Sequence, residues 1–172
     1  MSRDSSMAAV YLAAGLEAAF RRIQRERMAG QPFINPGLTV EAVGFRPWDR
    51  SCLRVLVTPW SMNLMLLPVE GEQWADRRPG EQGLVRFPSG THEFILGEEA
   101  GIGRYRMCSL FSPVLEFPHQ AVAVATARAA LEQLLAPPAE SRQGRPRPAP
   151  GGAPRAAPFR VSRREFLRAA LK

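Results

Sequence analysis

Lysine is almost absent from this chain of 172 residues, and the single one, Lys172, is the last residue. Histidine and cysteine are scarce too: His92, His119, Cys52 and Cys108. Two cysteines do not make a disulfide framework at this length. No Cys-x-x-Cys pair is present for a zinc or iron centre. Gly101 and Gly103 stand in Ala-Gly-Ile-Gly-Arg without the further glycine and helix of a phosphate loop, and neither His-Glu-x-x-His nor Gly-x-Ser-x-Gly occurs. No apolar run reaches about 18 residues, so no membrane span is expected. Met7 to Phe20 is apolar, but Glu17 interrupts it and Arg21, Arg22, Arg25 and Arg27 follow it. A secretory signal carries its positive charge before the apolar run, not after. These absences point to a non-catalytic protein of the reducing cytoplasm, with no cofactor.

Cys108 and His119 are the weak candidates for a metal or thiol site. The plainer reading makes Cys108 a small buried strand residue and His119 a helix start. Cys52 reads as structural.

Charge is divided unevenly. Residues 1–136 carry 14 arginines against 14 carboxylates and are neutral. Residues 137–172 hold eight arginines and Lys172 against Glu140 and Glu165, so the whole net charge of +7 lies there. A nucleic-acid domain carries its basic stripe on the folded body. The tail has only two aromatics for stacking, Phe159 and Phe166. No nucleic-acid partner is expected.

The apolar spacing predicts a helix over Ser5–Met28, capped by Ser5 or Ser6, with Val10, Leu12, Ala13, Leu16, Phe20 and Ile23 on one face. Strands are expected over Leu38–Phe45, Leu53–Thr58, Asn63–Leu67, Leu84–Phe87, His92–Leu96 and Arg104–Leu110. Turns are expected at residues 46–50 and 88–90, with a long one over 70–81. A second helix is expected from His119 to Leu135. The fold class is α+β: an antiparallel sheet flanked by an N-terminal and a C-terminal helix, both on one face, with a disordered basic tail. The domain occupies 1–136. Residues 137–158 are rich in Pro, Gly and Arg and read as a flexible linker. Residues 159–172 form a terminal peptide whose Phe166, Leu167 and Leu171 have helical spacing, too short to hold a helix alone in water.

Large apolar residues beside prolines and turns are candidates for partner binding. Trp48 lies between Pro47 and Asp49, and Pro59-Trp60-Ser61-Met62-Asn63-Leu64-Met65 follows a strand end. An apolar slot of Trp48, Trp60, Met62 and Met65 is expected, with Asn63 beside it.

Four stretches in order carry a resemblance: residues 27–36 (RMAGQPFINP), 40–48 (VEAVGFRPW), 57–64 (VTPWSMNL) and 108–113 (CSLFSP). Together they resemble the HybE/HupJ family of nickel–iron hydrogenase assembly chaperones, over about Arg27 to Leu135. The resemblance implies a chaperone that binds the hydrogenase small subunit and its twin-arginine signal peptide, delaying export until cofactor assembly. A groove for that peptide needs acid for the two guanidinium forks, for which Glu41, Glu70, Glu72, Asp76 and Glu81 are candidates, beside the apolar slot. Other hydrogenase accessory proteins would be further partners. Some members carry a fused rubredoxin domain, and the lack of a Cys-x-x-Cys pair argues against one here. The competing reading is a redox or metal-handling factor that protects the small subunit from oxygen.

Ser162-Arg163-Arg164-Glu165-Phe166-Leu167-Arg168 is similar to the twin-arginine consensus Ser-Arg-Arg-x-Phe-Leu-Lys. Four residues follow it, too few for the apolar run of a signal peptide. Arg163, Arg164, Phe166 and Leu167 are therefore expected to mimic a client signal rather than to act as one.

Overall fold

The computed structural model describes residues 3–69, 71 and 73–137. The expected tail, from residue 138 on, lies outside them.

The first helix, α1, spans Arg3–Ile23 and widens into a π-helical turn over Gln24–Met28. It starts ahead of the serines expected to cap it. Gly30, at φ +76°, ends the run in a conformation that glycine adopts freely. Six strands follow: β1 Glu41–Trp48, β2 Ser51–Val57, β3 Met62–Pro68, β4 Gln82–Phe87, β5 Gly90–Glu99 and β6 Gly103–Phe111. The second helix, α2, is Gln120–Leu135. The strands form one antiparallel sheet in the order β1-β2-β3-β6-β5-β4.

Two local expectations shift. The turn read over residues 46–50 is mostly strand, because β1 continues to Trp48 and the reversal takes only Asp49 and Arg50, with Asp49 at φ +53°. Pro47 is tolerated there because β1 is an edge strand, where a missing N–H need break no ladder bond. At the other end, Leu38 and Val40 come before the strand rather than in it.

The helices do not share a face of the sheet. Leu53, Val55 and Val57 of β2 pack with Ala127, Leu131 and Leu134 of α2. Leu56 of β2 and Met65 and Leu67 of β3 pack with Leu16, Ala19 and Phe20 of α1. Successive strand residues point to opposite faces, so β2 and β3 are buried on both sides. The apolar runs Leu-Arg-Val-Leu-Val and Leu-Met-Leu-Leu are what doubly covered strands require, whereas a half-solvated strand alternates.

On the α2 side, Trp48 at the end of β1 packs on Phe87 at the end of β4. The two edge strands thus curl towards each other, and α2 lies in the concave face. Helix α1 lies on the convex face. A break in the β1 register between Val43 and Arg46 assists the curl. Within it Gly44 adopts φ +72°, and its carbonyl accepts a hydrogen bond from Arg54 Nη1 at 2.7 Å.

Candidate functional site

The structure does not assemble the expected apolar slot. Met62 and Met65 are 0% exposed and lie in different cores, Met62 towards α2 and Met65 towards α1. Asn63 is 7% exposed, and its Nδ2 donates to Ser61 Oγ at 3.0 Å. Trp60 is half-buried and stacks on Phe20 of α1, with centroids 6.5 Å apart. Trp48 is half-buried at the far end of the sheet, against Phe87. The reason is topological: β3 sits inside the sheet, between β2 and β6, where both of its faces are covered.

The acidic candidates are dispersed as well. Glu41 accepts from Gln120 Nε2 at 2.8 Å, which ties β1 to α2. Glu81 accepts the Arg78 backbone N–H and lies 3.7 Å from Arg77, and Asp76 lies 4.0 Å from Arg77. Glu70, Glu72, Arg163, Arg164, Phe166 and Leu167 fall outside the described residues.

Nor do the described residues build a reaction centre. Cys108 is half-buried; burial first, and the nearby Glu93 carboxylate second, push its thiol up to about 11. At neutral pH it is a thiol, not the thiolate that attacks or binds metal. Cys52 is buried and its pKa is raised by that burial. His119 is the extended residue before α2 and makes no side-chain cap. Among the described residues, no three His, Cys, Asp or Glu side chains converge as metal ligands would. A pocket beside the β5–β6 turn holds two titratable groups, Glu98 and Arg104, already 3.6 Å apart.

The convex face leaves a different surface open. Helix α1 covers β1, β2 and β3 and reaches β6 at Tyr105. Its edge is fixed there by Glu99, which binds Arg22 at 3.2 Å and Arg27 at 3.1 Å. Beyond that edge the cross-strand pairs continue outwards from buried Met65 to half-buried Met107, then to Ile95, 38% exposed. On β4, Leu84 is 54% exposed and pairs with exposed Glu93. Residues paired across a ladder share a face, and Leu84 is two residues from Gln82, the partner of Ile95. Leu84, Ile95 and Met107 therefore form an apolar shelf on the convex face, with Glu93 as its carboxylate.

The two sheet edges beside these surfaces differ. Beside β1, Gln120 bonds both backbone groups of Thr39, Arg21 bonds the Val40 carbonyl and Glu17 bonds the Ala42 N–H. The Gly44 bulge distorts that edge further. Such features blunt a strand against further pairing. Among the described residues no strand pairs with the outer edge of β4. Sequence reasoning missed the shelf, although Phe94-Ile95-Leu96 and Gly83-Leu84-Val85 place apolar residues on both faces of edge-region strands.

Comparison with known proteins agrees with the fold. The family model described as "[NiFe]-hydrogenase assembly, chaperone, HybE" matches residues 11–169. That is wider than the stretches quoted from the sequence and includes the C-terminal segment. The hydrogenase expression/formation protein HupJ of Bradyrhizobium diazoefficiens is 38% identical over 156 residues, covering 91% of this chain and 86% of that one. The probable rubredoxin HupJ of Rhodobacter capsulatus is 42% identical over 120 residues. That match takes in 70% of this chain but only 43% of the relative's length. The solution structure of HybE from Escherichia coli superposes with a TM-score of 0.61 at 24% identity, over 84% of this chain and 91% of that one.

Proposed function

The chain belongs to the HybE family of [NiFe]-hydrogenase assembly chaperones, and from that premise we propose that it is a non-catalytic chaperone for the hydrogenase small subunit. It binds the subunit's twin-arginine signal peptide in the cytoplasm and holds back export until the metal centres are in place. The observation that carries this reading is the shelf of Leu84, Ile95 and Met107, the part of the sheet's apolar surface that neither helix covers among the described residues. An exposed apolar patch on an otherwise well-packed domain marks a binding surface. The apolar run of a signal peptide supplies complementary side chains, and Glu93 supplies a carboxylate for one guanidinium fork. The free β4 edge offers backbone hydrogen bonds to an extended flank of the peptide.

The competing reading, a redox or metal-handling factor, draws no support from a protonated, half-buried Cys108. The test is a titration of the protein with a synthetic signal peptide from a hydrogenase small subunit, beside one whose twin arginines are lysines. Binding that weakens at least about tenfold in the lysine peptide supports guanidinium recognition, because lysine cannot reproduce the planar fork. No binding of either peptide would overturn the reading.

A further inference from the structure

We propose that the chain's own C-terminal segment, residues 161–171, docks as a short helix on the shelf of Leu84, Ile95 and Met107. The competition with a client peptide that this implies rests on the reading above; the docking itself does not.

Three observations carry it. The first is the half-empty layer. Helix α1 covers β1, β2 and β3 and reaches β6 at Tyr105, while β5, β4 and the β6 residues beyond Met107 have no second layer on the convex face among the described residues. Three adjacent strands span about 10 Å between outer axes, the width of one helix with its side chains. An 11-residue helix is about 16 Å long, within the length of β5. The shelf thus has the dimensions of a single helix lying beside α1.

The second observation is where the described chain ends. The Ser89 backbone N–H, in the β4–β5 turn, donates to the Leu134 carbonyl at the end of α2. The chain therefore leaves the domain at Pro137, beside the Phe87 end of β4. Residues 138–160 then separate Pro137 from the segment. A flexible chain of that length has an end-to-end distance on the order of 25 Å. It needs to pass only around the free edge of β4 to reach the convex face. Tethering of this kind gives an effective concentration in the millimolar range.

The third observation is the segment itself. Residues 138–158 hold no large apolar side chain, whereas Phe166, Leu167, Ala170 and Leu171 recur at helical spacing with Arg163, Arg164 and Arg168 among them. The family match runs through the linker to residue 169, so the family pattern contains this island as well as the domain. A peptide this short is marginally helical in water and becomes helical when its apolar side is buried. Phe166 and Leu167 meet Leu84 and Ile95, and the arginines lie towards Glu93.

The test is amide hydrogen exchange on the full chain, with no client present, at two protein concentrations. Exchange over residues 161–171 at least about tenfold slower than in the same segment as a free peptide supports docking. Leu84→Asp should restore the free-peptide rates while the domain still melts cooperatively, its melting temperature lowered by no more than the lost docking accounts for. Free-peptide rates in the wild-type chain, or protection that survives Leu84→Asp, would overturn the proposal. So would protection that grows with protein concentration, which would place the segment on a second copy. The regulatory part is read with a synthetic peptide carrying Ser-Arg-Arg-x-Phe-Leu-Lys and an apolar run. Its binding should deprotect residues 161–171, and the double variant Phe166→Ser/Leu167→Ser should bind it several-fold more tightly, as removal of an internal competitor requires. A peptide that binds without altering exchange would overturn the competition while leaving the proposed function standing. A peptide that fails to bind, with protection intact, would sink the proposed function and leave the docked helix supported.

Discussion

Trp48 and Phe87 belong to the two opposite edge strands of a six-stranded sheet, yet their ring centroids are 4.8 Å apart. In a flat sheet, five strand spacings would separate β1 from β4 by about 24 Å. The contact exists because the sheet curls around α2, and it fastens the open side of that curl. Phe87 continues the cluster to Phe94 and His92, each 5.9 Å away. Trp48→Ala should therefore lower stability by about 2–3 kcal/mol, less than the loss for a fully buried tryptophan because Trp48 is half-buried. Urea unfolding with an unchanged m-value measures it. A loss below about 0.5 kcal/mol, the range of ordinary surface substitutions, would show that the contact is incidental and return Trp48 to the candidates for partner binding.

Glu99 joins the β5–β6 hairpin to the end of α1 through Arg22 and Arg27. Burial raises its pKa, but the hydrogen bonds and charges of the two guanidinium groups outweigh that and hold the carboxyl below its ordinary value of 4.5. A carboxyl depressed in the folded state stabilises it above the ordinary pKa, and the stabilisation is lost as pH falls through the folded pKa. Glu99→Gln should cost about 1 kcal/mol at pH 7, since both arginines are partly exposed and screened. The difference between wild type and variant should shrink as pH falls below about 4.5. Urea midpoints at pH 7 and pH 3.5 test this, and a difference that is the same at both would exclude the ion pairs as its source.

Much of the fold was legible in the sequence, and the reason is local. Helix α2 and all six strands lie close to their expected places because period and turn residues specify them. Which face a helix covers depends on the pairing order of strands far apart in sequence, and that order is not written in any one segment. The doubly apolar β2 and β3 held the clue. The motif residues behind the family resemblance proved largely structural. Asn35, from Pro-Phe-Ile-Asn-Pro, is 8% exposed and donates to the carbonyls of Val114 at 2.9 Å and Phe117 at 2.8 Å. Thr58, from Val-Thr-Pro-Trp-Ser, accepts the Ser61 N–H at 2.9 Å and closes the β2–β3 turn. Motifs that hold turns together read in sequence like motifs that bind partners, which is why Met62 and Met65 were expected at the surface. The shelf itself could not be read from spacing, since it is defined by where α1 stops.

Cys108 bears on the redox reading directly. With its thiol pushed up to about 11, the thiolate fraction at pH 7.5 is about two orders of magnitude below that of an unperturbed cysteine. Labelling of the native protein with a thiol-specific disulfide reagent should be correspondingly slow, and fast after unfolding. Cys108→Ser should change the affinity for a signal peptide by less than about twofold, because the side chain packs against the concave core and not the convex shelf. Rapid labelling in the native state would contradict the burial that raises the pKa and would bring the redox reading forward.

Met65 and Leu84 lie on the same convex face, one beneath α1 and one beyond it, and the two should fail in opposite ways. Met65 is 0% exposed, so Met65→Ala removes buried atoms and should cost about 2–5 kcal/mol of stability. At concentrations where the variant remains folded, its affinity for a signal peptide should stay within a few-fold of wild type, because Met65 offers the peptide no surface. Leu84 is 54% exposed on the domain, so Leu84→Asp should leave the domain folded and cost no more than the docked segment contributes, about 1–2 kcal/mol. It places a charge where an apolar side chain would bury, and signal-peptide affinity should fall by at least about tenfold. Thermal melts paired with peptide titrations read both quantities on the same samples. If Met65→Ala abolished binding in a folded protein while Leu84→Asp did not, the recognition surface would lie under α1 rather than beside it, and the helix would have to move to admit the peptide.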